Sequence, residues 1–381
     1  MFYTLEPHLG LLEKSLVNKC LNKNIISTYG NTIEKFEKNF SNFSKFNYTT
    51  ALNSGTSSLH LGLKANNVAS KDLVIAPSYT FAATANAIIY CGAEPWFHDI
   101  DKENMMLDLD QVIYSLENKT FKKGKFHYHN KTKQKISCIL PVLTFGYSID
   151  LDKLNVIKKK FNINVVIDSA AGHFANFNKK KLGLFNFDCC YSFNGNKNIT
   201  TSSGGAFCTN SLKKYLYVKK LSKIGRISKY KYEFVGFNYR MNNLQASLGE
   251  AQLKNIKFFI KKKKQIFTYY SKKLSENSDY CKIKLNKFNN IEGWLFAIKL
   301  KSTNVNIILK FLETKKIFLS KFWHPLHKQT PYKKFIKENL SYTNSESKKV
   351  LCLPSSTFLK KKDLNYIVKF VSKFFYKKYF K

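Results

Sequence analysis

The chain has 381 residues and sets 64 Lys and Arg against 25 Asp and Glu, a formal net charge of +39, with 44% apolar and 23% charged side chains. These proportions belong to a globular chain long enough for one large domain and a smaller one, and they exclude global disorder and a collagen-like repeat. The charge alone would suggest a nucleic-acid binder, but only two of the 64 basic residues, Arg226 and Arg240, are arginine, the residue that reads guanine edges and clamps phosphate with two bonds.

Lysine in place of arginine, with heavy use of Asn, Ile, Phe and Tyr, matches the drift of an AT-rich genome, so no nucleic-acid partner is expected. Runs such as Lys261–Lys264 and Lys360–Lys362 read as solvated helix faces. Their field would attract anionic substrates. No stretch reaches about 18 uninterrupted apolar residues, so no membrane span is expected. The first residues have Glu6 early and no apolar core, unlike a secretory signal, and the expected compartment is the cytoplasm. Eight cysteines without a CxxC pair read as reduced core residues, with no metal site.

In chain order, helix is expected at Ser57–Ala65, strand at Leu73–Ala76, and helix at Phe81–Cys91. Lys119–Lys135 is polar and basic and reads as a surface loop with a hairpin. Strand follows at Cys138–Val142, helix at Leu151–Phe161, and strands at Asn164–Asp168, Cys189–Phe193 and Ala206–Thr209. The strands are nearly continuous apolar runs, as in a sheet covered on both faces. Their alternation with helices predicts a parallel sheet with right-handed crossovers. From Asn243 to about Leu274 the apolar stripe Leu244, Leu248, Ala251, Leu253, Ile256, Phe259 and Ile260 predicts one long helix. A strand at Trp294–Leu300 and a helix at Val305–Glu313 come later. The domain boundary is placed on the long helix, giving 1–250 and 251–381.

Three segments carry chemistry. In NSGTSSLHLGL, Asn53–Leu63, a small-residue turn runs into a helix. Such a turn offers backbone N–H groups to a phosphate, although Ser-Gly-Thr is also an ordinary N-cap. In VVIDSAAGH, Val165–His173, Asp168 ends a buried strand where ligands of open α/β sheets bind; the alternative is a cap for the next turn. In YSFNGNKNITTSSGGAF, Tyr191–Phe207, Lys197 lies in a loop of small residues between two apolar strands. Desolvation there would lower its pKa and let it attack a carbonyl. A phosphate anchor, a buried carboxylate and a reactive lysine on successive strand ends are the parts that hold pyridoxal 5′-phosphate.

With these segments stand ISTYGNTIEKFEKNF at Ile26–Phe40, APSYTFAATANAIIYCGAEPWFHDID at Ala76–Asp101, PVLTFGYSIDLDKL at Pro141–Leu154, GFNYRMNNLQASLGEAQL at Gly236–Leu253 and HPLHKQTPY at His324–Tyr332. In this order, over nearly the whole length, the chain resembles the DegT/DnrJ/EryC1/StrS sugar aminotransferases. The loop after Tyr191 most resembles the subgroup that aminates nucleotide-linked 4-keto-6-deoxy sugars for bacterial surface glycans. The resemblance implies an α/β, aspartate-aminotransferase-like fold (fold type I of the pyridoxal-phosphate enzymes). It has a large domain with a mostly parallel seven-stranded sheet and a smaller C-terminal α+β domain.

The same resemblance implies residue roles. Lys197 is the Schiff-base lysine and proton shuttle, and Asp168 partners the pyridine nitrogen. Thr56, Ser57 and Ser192 bind the phosphate, and Phe81 stacks on the cofactor ring. Asn238 reaches the phosphate of a neighbouring subunit, which implies a homodimer with shared active sites. His327 and Arg240 are expected at the sugar nucleotide, the alternatives being a surface or packing histidine and a structural pairing for Arg240. Amino-acid and nucleotide-sugar substrates follow, with L-glutamate as the donor. The chain departs from many relatives at Ala171, where they have glutamine, with His173 nearby, and at Ser202-Ser203, where they have Gly-Glu. Relatives with histidine in place of the lysine are dehydratases, so Lys197 favours transamination. The rival expectations are a dehydratase or isomerase of the same fold and a non-catalytic cofactor-binding protein.

Overall fold

A computed structural model of the chain describes residues 1–274, 280–282, 291, 293–300 and 305–375. Seven strands build the main sheet: β1 (Tyr48–Leu52), β2 (Leu73–Pro77), β3 (Glu94–His98), β4 (Lys135–Ile139), β5 (Asn164–Asp168), β6 (Asp188–Ser192) and β7 (Gly205–Thr209). Their order is 1-7-6-5-4-2-3. Pairing is parallel from β6 through β5, β4 and β2 to β3, and β7 is antiparallel to both β6 and β1. The sheet is thus mostly parallel, as expected, and the hairpin Thr120–Lys123/Phe126–His129 joins it through the start of β4.

The central strands are buried on both faces, which is why their sequences are almost uninterruptedly apolar. Helix Asn31–Ser44 covers one face with Phe36 and Phe40, whose rings meet Phe193 edge-on at 5.3 and 5.1 Å. Each such fully buried aromatic contributes roughly 1.5–3 kcal/mol of transfer free energy. The other face is covered by Gly55–Ala65 and Ala82–Tyr90.

The expected single helix over 243–274 is two helices, Asn243–Lys254 and Ile256–Leu274. The break has a local cause. Asn255 ends the first helix, and its side-chain amide donates to the Glu13 carboxylate at 3.1 Å, which also accepts from Gln252 at 2.8 Å. A second expectation fails within the lysine run: Lys261 and Lys264 are exposed, but Lys263 is 1% exposed.

A second, antiparallel sheet joins Tyr280–Lys282, Phe296–Leu300 and Val350–Leu353, followed by helix Lys361–Val371. The chain start belongs spatially with this region. Phe2–Tyr3 pairs in parallel with Ile317–Phe318. Thr4 accepts from Ser355 N at 2.9 Å and from Ser320 N at 2.7 Å, and Glu6 N donates to Ser356 Oγ at 2.8 Å. The seven described free cysteines are all buried. No helix among the described residues is long and apolar enough to cross a membrane.

Candidate active site

Strand order reverses between β2 and β4, and ligands of open α/β sheets bind in the crevice this opens at the carboxyl ends of the strands. A cavity of about 410 Å³ lies there, lined from Ser54 after β1, Thr80 and Phe81 after β2, Val142 after β4, Asp168 at the end of β5, Ser192 at the end of β6, and Asn194, Asn196 and Lys197 after it.

Asp168 is fully buried. Its carboxylate accepts from Thr84 Oγ1 at 2.8 Å and from Ala170 N at 3.0 Å. Burial pushes its pKa up, and these two hydrogen bonds and the charge of Lys197 act the other way. Desolvation pulls the Lys197 amine down to about 8, opposed by the charge of Asp168. At that value about a tenth of the amine is unprotonated at pH 7, far more than for an ordinary lysine, and the neutral form is the nucleophile. The Lys197 amine stands 4.1 Å from the ring of Trp294, whose indole N–H donates to Asn196 O at 2.7 Å.

At the other end of the cavity, helix Gly55–Ala65 begins with Ser54 as N-cap, its hydroxyl accepting from Ser57 N at 3.0 Å. Gly55 and Thr56 line the cavity at this helix start, with Ser192, Ser203 and Gly204 around them. Small residues are required here. A Cβ on Gly55 would lie 2.6 Å from Ser192 Cβ, and one on Gly205 would lie 2.3 Å from Ser54 O. Gly55→Ala is therefore expected to displace the helix start, at a cost of about 1–3 kcal/mol, and to weaken cofactor binding by tenfold or more, read by fluorescence titration.

Of the residues expected from sequence, Lys197, Asp168, Thr56, Ser192 and Phe81 share this cavity, and the Phe81 ring is 62% exposed. Ser57 does not line it; its hydroxyl donates to Asn53 Oδ1 at 2.6 Å. His327 is also off the wall, with Nδ1 2.6 Å from Ser78 Oγ and Nε2 3.1 Å from Asn344 Oδ1. Arg240 places its guanidinium 5.8 Å from the Tyr29 ring. Asn238 is exposed beside β1, its carbonyl accepting from Asn53 Nδ2 at 3.3 Å. His173 is buried against Tyr191 and Phe193, at ring distances of 5.7 and 5.5 Å, and does not line the cavity.

Sequence reasoning missed Trp294, Lys321, Phe322 and Trp323, which close the cavity from the C-terminal part of the chain. It also missed Thr84, which sits one helical turn beyond Thr80 and shares a 2.9 Å hydroxyl contact with it. Thr84 thus links Thr80, just before the helix, to the Asp168 carboxylate.

A buried carboxylate, a desolvated lysine, a helix N-terminus with clustered hydroxyls and an exposed aromatic residue line one cavity. Together they fit pyridoxal 5′-phosphate: the carboxylate suits the ring nitrogen, the lysine the aldehyde and the helix start the phosphate. Fold and site define a pyridoxal-phosphate enzyme of fold type I. The chain belongs to the DegT/DnrJ/EryC1/StrS aminotransferase family, which it matches over residues 8–372. It is 30% identical to the GDP-perosamine synthase of Escherichia coli O157:H7 over 380 residues, covering 97% of each chain. It is 29% identical to the UDP-4-amino-4,6-dideoxy-N-acetyl-beta-L-altrosamine transaminase of Campylobacter jejuni strain 81-176, over 73% of this chain and 71% of that one. Among solved structures, Helicobacter pylori PseC, an aminotransferase involved in pseudoaminic acid biosynthesis, superposes with a TM-score of 0.87 at 24% identity, covering 98% and 99% of the two chains. A family aminotransferase from Brucella abortus superposes equally well, TM-score 0.87 at 21% identity, covering 95% of each chain.

Proposed function

We propose that the chain transfers an amino group from an amino acid, L-glutamate, to a nucleotide-linked keto-deoxy sugar for bacterial surface polysaccharide or glycan synthesis. The observation that carries this reading is the desolvated Lys197 amine in one cavity with the buried Asp168 carboxylate. Pyridoxal phosphate, when bound, supplies the electron sink and the carrier of the amino group. Asp168 holds the proton at its ring nitrogen. Lys197 would hold the cofactor through its aldehyde and would carry the proton between the substrate carbon and the cofactor in both half-reactions. Thr56 and Ser192 hold the phosphate with the N–H groups at the start of Gly55–Ala65, and Phe81 stacks on the ring face. The aromatic wall keeps water from the reacting amine. In this reading residues 1–250 are the cofactor-binding domain with an N-terminal arm, residues 2–6 of which lie against the second domain, 251–381.

A homodimer belongs to the same proposal. Ile224, Ile227, Tyr230 and Val235 expose large apolar surface on one segment just before Asn238, as a subunit interface requires. Asn238 then reaches the phosphate of the second subunit. Sedimentation should give twice the mass of the 44.2 kDa chain.

Lys321 is the second cation on the cavity wall among the described residues. It has no carboxylate within ion-pair distance among them, and its amine is 3.4 Å from Asn306 Oδ1. We assign it an anionic group of a substrate. Lys321→Met is expected to raise one substrate's KM about tenfold, the size of one charge-assisted contact, with kcat nearly unchanged.

The decisive experiment offers UDP-, GDP- and dTDP-linked keto sugars with L-glutamate and reads products by mass spectrometry. An amino sugar that forms only with the donor supports the reading. A dehydrated or isomerised sugar formed without donor would overturn it.

A further inference from the structure

Lys263 is buried in the middle of helix Ile256–Leu274. A lysine amine out of water needs partners, and an apolar side chain of similar length packs there at less cost. Burial drives its pKa well below the ordinary ammonium range. Among the described residues it makes one hydrogen bond, to the backbone carbonyl of Trp294 at 2.6 Å, and no carboxylate lies within ion-pair distance.

That bond completes a three-point fixation. Trp294 N donates to Phe145 O at 2.7 Å, its carbonyl accepts from Lys263, and its indole N–H donates to Asn196 O at 2.7 Å. The ring so held is the one 4.1 Å from the Lys197 amine, and Asn196 is the residue before Lys197. A helix, an aromatic wall and the reactive loop are thus linked in series, with Lys263 at the far end.

We propose that Lys263 is a positioning residue: it pins Trp294 so that the indole stays packed against Lys197 and keeps water from its amine. This rests on Lys197 being the reactive amine of the reading above. The cost of burying a polar group is then used at the one carbonyl whose residue shields the nucleophile.

The test needs no turnover. The cofactor-free chain is incubated with pyridoxal across a pH series, trapped with borohydride, and modification of Lys197 is counted by mass spectrometry. In the unmodified protein the yield should rise with pH through about 8, the value burial gives Lys197. The titratable groups around that amine, Asp168, His173 and, on the same cavity wall, Lys321, are kept in every variant. Lys263→Met should move the midpoint upward by about half a unit or more, because a loosened indole admits water and desolvation is the dominant cause of the low value. Trp294→Ala should move it in the same direction, and the double variant should move it no further than Trp294→Ala alone.

A folded Lys263→Met protein with an unmoved midpoint overturns the proposal, as does a double variant whose shift is the sum of the two. Lys263→Gln, polar but too short to reach the carbonyl, carries the same expectation if the methionine variant does not fold. If neither folds, Trp294→Ala decides, and an unmoved midpoint there overturns the proposal. Absence of any aldehyde trapping at Lys197 would instead sink the functional reading and leave Lys263 without a role to support.

Discussion

Lys197→Ala is expected to abolish transamination, with a loss of about 10⁴-fold or more, because in the proposed mechanism one side chain is both the covalent anchor and the proton carrier. The variant should fold. Alanine removes an amine whose charged form is already disfavoured by burial, and the backbone of the loop is held independently by Lys197 N donating to Asn194 O at 2.9 Å. Cofactor should still bind at the phosphate end but no longer be trapped on the chain by borohydride. The check is the rate of each half-reaction with circular dichroism as a control. A folded variant retaining a tenth of the activity would remove Lys197 from the mechanism. A primary amine added in solution should restore part of the proton-transfer step but not the covalent link.

Asp168→Asn should lower the rate of both half-reactions by about 10²–10³-fold, the usual cost of one preorganised electrostatic partner. The amide is nearly the same size and still accepts from Thr84, so the wall is preserved. It carries no charge, so it gives a protonated ring nitrogen no counter-charge, and the electron sink fails. The buried carboxyl is held above its ordinary pKa before any cation arrives, so a cationic ring nitrogen beside it stabilises the charged form of both. The variant is therefore also expected to bind the cofactor more weakly, measured by titration. Equal rates for Asp168→Asn and the unmodified protein would mean the carboxylate only caps the turn to Ala170.

What the sequence disclosed follows from where each residue lies. The five strands expected from their apolar runs correspond to β2, β4, β5, β6 and β7, all inside the sheet, although β4 lies three residues earlier than the expected Cys138–Val142. β1 and β3 were not expected, and they end the seven-strand order at opposite sides. β1 reads Tyr-Thr-Thr-Ala-Leu, and β3 carries Glu94, Pro95 and His98. Polar residues and proline are tolerated at sheet edges, so the apolar signal faded there. The cavity residues found from sequence sit in short local motifs at strand ends. Trp294, Lys321 and Trp323 come from the C-terminal third, and no local pattern tells a tryptophan that closes a cavity from one that fills a core. Lys263 was hidden differently: three neighbouring lysines made it look like part of a solvated run.

The pairing of residues 2–6 with residues 316–320 and 355–356 bears on synthesis. Thr4 holds Ser320, next to Lys321, and Glu6 reaches Ser356, 350 positions away. Contacts so distant along the chain form late. While the ribosome is still adding the last third, Phe2–Tyr3 has no partner, so the seven-stranded sheet can assemble well before the loop that carries Lys321 is set. A tag or truncation at the amino terminus would therefore disturb that loop rather than the sheet.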